Sequence, residues 1–193
     1  MTKFIFHGGV TQLDVESNRS FYREIIKDIP DGGTVLLVYF ASRATDLQSD
    51  EEKMKCDIEG FKKQSEGKHL NFVMATREEF IDQLSQADAV YIRGGSTAQL
   101  MEILRSYPDL KPYTEGKVLA GSSAGAYALS TFYDSHYEDL VLDGLALAPV
   151  RVVCHCDSAK MKPREKSVEL LKETAPQLEL ILLNDCEWKA IVT

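Results

Sequence analysis

Residues 117–130, KVLAGSSAGAYALS, decide how this chain is read. Lys117–Ala120 is an apolar run of strand size, and Ala126–Ser130 has the small residues of a helix packed close to a sheet. Between them Gly121-Ser122-Ser123-Ala124-Gly125 matches the pattern G-x-S-x-G. A strand that turns abruptly into a helix through two glycines holds its central serine in a strained conformation, hydroxyl outward. The amide of Ala124 then points to where an oxyanion would form, helped by the helix N-terminus. The same five residues in another setting make a small-residue turn or a phosphate-binding turn. The strand before and the helix after favour a nucleophile.

Outward from this turn, apolar strand-sized runs alternate with segments of helical period. Lys3–His7, Thr34–Phe40, His69–Met74, Ala87–Ile92 and Lys117–Ala120 read as strands. Ser17–Ile29, Asp50–Glu66, Arg77–Gln86 and Thr97–Ser106 read as helices, with Phe21, Ile25 and Ile29 on one face of the first. Beyond Ser130 the rhythm loosens. Val150–Cys154, Leu178–Leu183 and Lys189–Val192 read as further strands, with a helix at Arg164–Thr174. No repeat, low-complexity tract or linker divides residues 1–193, so one α/β domain is expected. It is a three-layer, doubly wound sandwich with a mainly parallel central sheet and helices on both faces. In such sheets function gathers at the carboxyl ends of the strands. Three of these ends carry glycine turns: His7-Gly8-Gly9, Arg93-Gly94-Gly95 and the serine turn.

Composition narrows the function. The chain has 193 residues, 44 % of them hydrophobic and 27 % charged, as in a soluble globular protein. Thirty acidic against twenty-two basic residues give a net charge of −8, and no basic run is long enough to track phosphates. Nucleic acid is therefore disfavoured as a partner. No apolar stretch approaches a membrane span, and the N-terminus is broken by glycine too soon for a signal peptide. Cys56, Cys154, Cys156 and Cys186 have no disulfide-framework spacing, which points to free thiols in a reducing cytoplasm. In a strand, Cys154 and Cys156 would share one face while His155 points to the other, so a metal held by the three is not expected.

A serine nucleophile needs a base, and four histidines are available. His155, just beyond a strand downstream of the turn, is the first choice and His136 the second. His7 would cap its own Gly-Gly turn, and His69 sits at the opposite edge.

These residues carry a family likeness. Ile92 to Leu100, IRGGSTAQL, together with Gly121-Ser122-Ser123-Ala124-Gly125-Ala126, resembles the peptidase E family of serine peptidases. That family includes aspartyl dipeptidases and cyanophycinases and has a fold like the class I glutamine amidotransferases. Its usual signatures read G-G-N-T and G-x-S-A-G-A. The likeness extends over Pro149, the strand ending at His155, and Pro163-Arg164-Glu165. It implies a Ser-His-Asp/Glu triad without cofactor, with Ser123 as nucleophile, His155 as base, and the amides of Gly95 and Ala124 as oxyanion hole. Gly94, Ser96 and Thr97 would line the substrate site. Ser96 replaces the family's asparagine and Ala98 a frequent phenylalanine, so departures fall on specificity. The resemblance puts the acid in the loop after the nucleophile helix, where Asp134, Glu138 and Asp139 qualify and Glu138 is preferred. Arg164 occupies the place of an arginine associated with acidic N-terminal side chains; a helix-surface arginine pairing with Glu165 or Glu169 is the competing reading. The expected activity is hydrolysis of small peptides, including dipeptides with N-terminal aspartate, by a monomer or homodimer. A non-catalytic binding module and a cyanophycinase-like or esterase-type hydrolase on the same fold are the rivals.

Overall fold

Along β1 (Lys3–His7), Phe4 and Phe6 enter one apolar cluster and Ile5 the other, as the two-residue period of a strand dictates. β2 (Thr34–Val38), β4 (Ala89–Ile92) and β5 (Val118–Ser122) divide in the same way: Leu36, Val38, Val90 and Leu119 go to the first cluster, Val35, Leu37, Tyr91 and Ala120 to the second. These strands are apolar on both faces because both are covered. The computed structural model describes residues 1–161, 163 and 165–193.

β1, β5, β4, β2 and β3 (Asn71–Met74) pair in parallel, and β10 (Trp188–Val192) joins β1 antiparallel, giving the order β10-β1-β5-β4-β2-β3. α1 (Glu16–Ile26) and α2 (Asp50–Gln64) cover one face through Phe21, Ile25 and Phe61. α3 (Phe80–Gln86), α4 (Thr97–Arg105) and α6 (Ala124–Leu129) cover the other, through Phe80, Leu100, Leu104 and Leu129. A short α5 (Lys111–Thr114) precedes β5. Ser49 caps α2 in a reciprocal capping box with Glu52, satisfying donors that the helix leaves open.

The single central sheet expected from the sequence is joined by a second one. β6 (Phe132–Asp134), β7 (Val141–Asp143), β8 (Val150–Val153) and β9 (Glu179–Leu182) form a four-stranded sheet in the order β7-β6-β8-β9. Val150, Val152 and Ile181 turn into the same cluster as Phe4 and Phe6. α6 is buried along its whole length, packed against β5, β1 and β4 and against β8. α7 (Glu165–Glu173) covers β6 and β7, and its carboxyl end is fixed by buried Arg151, whose Nη1 donates to the carbonyls of Leu171, Lys172 and Thr174. The β6–β7 hairpin escapes a sequence reading because each strand has only three residues and no long apolar run. Among the described residues no helix is long and apolar enough to cross a membrane.

Candidate active site

The serine turn is built by contact, not by propensity. A Cβ on Gly121 would lie 2.3 Å from the Gly125 carbonyl carbon, and one on Gly125 would lie 2.1 Å from the Ile92 oxygen. Only hydrogen fits at either place, so the chain can leave β5 and enter α6 in one step. Ser123, between them, is held at φ 50° and ψ −111°, a region a non-glycine residue occupies only under constraint. Part of that constraint is its N–H, which donates to the His7 carbonyl at 2.9 Å.

Ser123 Oγ lies 2.8 Å from His155 Nε2, and His155 Nδ1 lies 2.6 Å from Asp185 Oδ1. His155 follows β8 with φ 59° and is 5 % exposed. Asp185 follows β9, and its N–H donates to Asp157 Oδ1 at 2.8 Å. The carboxyl ends of both sheets thus meet over Ser123. This is the order of groups that nucleophilic catalysis by serine requires: a hydroxyl, a base in hydrogen-bond reach, and a carboxylate fixing the base's tautomer.

The acid is where sequence reasoning fails. Both nitrogens of His155 are engaged, one by Ser123 and one by Asp185, so Glu138 is not the carboxylate that orients it. Glu138 instead lines the cleft beside Ser123. Asp139 pairs with Lys166 at 3.5 Å. Asp134 is buried and accepts from the Tyr127 hydroxyl. Asp185 has one signal in the sequence, an acidic residue just past the last strand before the C-terminal one, outside the loop after the nucleophile helix.

The other histidines have separate work. His7 Nδ1 accepts from the Gly9 N–H at 3.0 Å and its Nε2 faces Asn18 Oδ1 at 2.9 Å, so it caps its own turn; burial lowers its pKa to about 4. His136 Nε2 lies 2.9 Å from the Tyr127 hydroxyl. His69 is exposed. Cys154 and Cys156 direct their thiols to the His7 and Val153 carbonyls respectively.

The β4 turn lies alongside. The Gly94 N–H donates to Ser122 Oγ at 3.1 Å, so of the two glycine amides the first is already engaged. Ser96 caps α4 by accepting from the Gln99 N–H, and Gln99 Nε2 in turn holds the carbonyls of Phe40 and Ser42. A cleft of about 270 Å³ opens beside Ser123, lined by Gly95, Ser96, Thr97 and Tyr127 among others. Arg43, from the loop after β2, lines this cleft and a neighbouring one that reaches Gly94 and His155. The sequence reading missed it, although a cation just past the end of a central strand is where the carboxyl-edge rule points. Arg164 lies outside the described residues.

A family model matches the sequence. Peptidase family S51 aligns over residues 5–191. The chain belongs to peptidase family S51. It is accordingly a serine peptidase, as the likeness to peptidase E implied. Two solved structures share the fold of this S51 chain. A peptidase from an acI-B1 Actinobacterium superposes with a TM-score of 0.67 at 21 % identity, over 99 % of this chain and 83 % of that one. A Listeria monocytogenes EGD-e protein named for peptidase E superposes at 0.64 and 19 % identity, over 100 % and 98 %. None of the curated proteins matches the sequence.

Proposed function

We propose that this S51 chain hydrolyses small peptides through an acyl-enzyme on Ser123, with dipeptides bearing N-terminal aspartate as its substrates. The observation that carries the reading is the unbroken hydrogen-bonded chain Ser123–His155–Asp185. Ser123 Oγ attacks the scissile carbonyl carbon while its proton passes to His155 Nε2. The Asp185 carboxylate stabilises the imidazolium that forms. The carbonyl π pair moves to oxygen, where the amides of Ala124 and Gly95 receive it; the engagement of Gly94 by Ser122 supports Gly95 in that role. Collapse of the tetrahedral species breaks the C–N bond, and His155 gives its proton to the leaving amine. Water, deprotonated by the same imidazole, then attacks the ester and releases the acid and free Ser123.

A cleft of about 270 Å³ is at the small end of ligand sites, which fits two residues better than an extended chain. Arg43 at its wall supplies a planar cation suited to a carboxylate side chain. The test is a substrate panel of Asp-X, Glu-X, neutral and N-blocked dipeptides with simple esters, each as kcat/KM in wild type and Arg43→Ala. Asp-X should lead, and Arg43→Ala should lower it roughly tenfold or more while sparing the esters. Cleavage of esters with refusal of every peptide would favour the esterase-type rival instead.

A further inference from the structure

Tyr127 is fully buried on α6, one turn beyond Ser123, and its N–H donates to the Ser123 carbonyl at 3.0 Å. Its ring lies flat on that of Tyr133, with centroids 4.6 Å apart and planes at 13°. Burying a phenol is costly unless its oxygen finds partners. This oxygen lies 3.0 Å from Asp134 Oδ1 and 2.9 Å from His136 Nε2, and it accepts from the Cys154 N–H at 3.1 Å.

The bond from Cys154 bears on the site. β6 pairs with β8 only as far as Tyr133 opposite Val152. Two residues further on, the Cys154 N–H has the Tyr127 hydroxyl where a neighbouring strand would supply a carbonyl. On the β9 side the same stretch is held by Leu183, which donates to the Val153 carbonyl and accepts from the Cys156 N–H. Between these holds His155 adopts φ 59°, a conformation that a non-glycine residue keeps only under constraint.

Asp134 sets the direction of the hydroxyl. A phenol has one hydrogen, and an ionised carboxylate takes it, which leaves the oxygen lone pairs for donors such as Cys154. That carboxylate is fully buried, and its Oδ2 has no hydrogen-bond partner among the described residues. An apolar side chain would serve stability as well or better at such a place. What the carboxylate does here is hold Tyr127.

We propose that Tyr127 is a positioning residue, a brace whose main chain holds Ser123 and whose hydroxyl holds the strand end at Cys154, so fixing the nucleophile against the base. The proposal rests on reading Ser123, His155 and Asp185 as the catalytic groups. Tyr127 acts through the first two and takes no part in the chemistry.

Tyr127→Phe keeps the ring and removes the outer bond of the brace. Because it strands the Asp134 carboxylate, it is made both alone and with Asp134→Leu, which takes the buried charge away as well. Tyr22→Phe is the comparison: this hydroxyl is also buried and donates to a carboxylate, Asp57 at 3.0 Å, but from α1 on the far face of the sheet. All proteins are read at pH 8, below their melting transitions, in two ways. The first is the rate at which a fluorophosphonate labels Ser123. It should fall roughly tenfold or more in Tyr127→Phe and in the double variant, and stay within about twofold of wild type in Tyr22→Phe. The second is the far-downfield proton resonance of His155 Nδ1, which is shared with Asp185 and assigned by its absence in His155→Ala. It should shift or broaden in both Tyr127 variants and stay in place in Tyr22→Phe. A wild-type labelling rate in the double variant overturns the brace, and so does an equal slowing in Tyr22→Phe. Failure of the double variant to fold, with no charge left stranded, would assign Tyr127 to stability and overturn it too. If Ser123 of the wild-type protein does not label, the hydrolase reading fails and the resonance decides alone. Unmoved in the double variant, or never seen in wild type, it overturns the brace.

Discussion

Gly9 and His155 are fitted to one another: a Cβ on Gly9 would come within 2.1 Å of His155 Cε1. The β1 turn therefore forms one wall of the slot in which the imidazole stands between Ser123 and Asp185. Gly9 adopts φ 128°, so a side chain there is opposed by the backbone as well as by the ring. Gly9→Ala should displace the imidazole and lower kcat/KM by roughly 10²-fold, the scale of a misplacement of about 1 Å. The measurement is a peptide kcat/KM beside a thermal melt. A folded variant with wild-type turnover would show that the slot is not needed.

Asp185 and Glu138 can be separated by kinetics. Asp185→Asn keeps the shape but no longer holds His155 in the proper tautomer, and should cost roughly 10³-fold or more in kcat. Combined with His155→Ala it should add almost nothing, since the members of such a chain act as a unit. Glu138→Gln should stay within about threefold. A reversal of the two single variants would return the acid to the 134–139 loop.

Ser122 acts through its neighbour. Its hydroxyl accepts from the Gly94 N–H and lies 3.3 Å from the Tyr91 hydroxyl, tying the β4 turn to the serine turn. Ser122→Ala frees the Gly94 amide and loosens the adjacent Gly95 amide. We expect kcat to fall about tenfold with KM nearly unchanged, the signature of an interaction used in the transition state. A rise in KM alone would assign Ser122 to substrate binding.

Asp134 makes stability depend on pH. Burial raises its pKa from 3.8 to about 7, so the folded state keeps a proton that the unfolded chain releases. Stability then falls as pH rises from about 4 to about 7, and the whole penalty is present above that. Asp134→Asn removes it while retaining an acceptor for Tyr127. The variant should gain on the order of a few kcal/mol more at pH 8 than at pH 5. Chemical denaturation at both values checks this; an equal effect at the two would mean that Asp134 does not titrate in this range.

Much of this was legible beforehand, for physical reasons that also explain what was not. The serine turn could be read because its glycines are required by steric contact with Ile92 and within the turn itself, a demand that acts within a few residues of sequence or on one neighbouring strand. β1 and the start of β2 were read to the residue, since strands buried on both faces are continuous apolar runs. His155 followed from its place after such a run. Asp185 could not be found in that way. It reaches His155 only because β8 and β9 pair in parallel, with Val153 opposite Leu182, and that register is a property of the folded sheet. The burial of Asp134 was equally hidden, because it ends a three-residue strand packed against α7 and accepts from Tyr127.

The central claim is that Ser123 is a nucleophile activated by His155 and Asp185. The most direct measurement is intact-mass and peptide-mapping mass spectrometry after reaction with a fluorophosphonate. The account predicts a single covalent adduct on Ser123, absent in Ser123→Ala and formed far more slowly in His155→Ala and Asp185→Asn. An adduct on another residue, or labelling of Ser123 at the same rate in all three backgrounds that retain it, would contradict it.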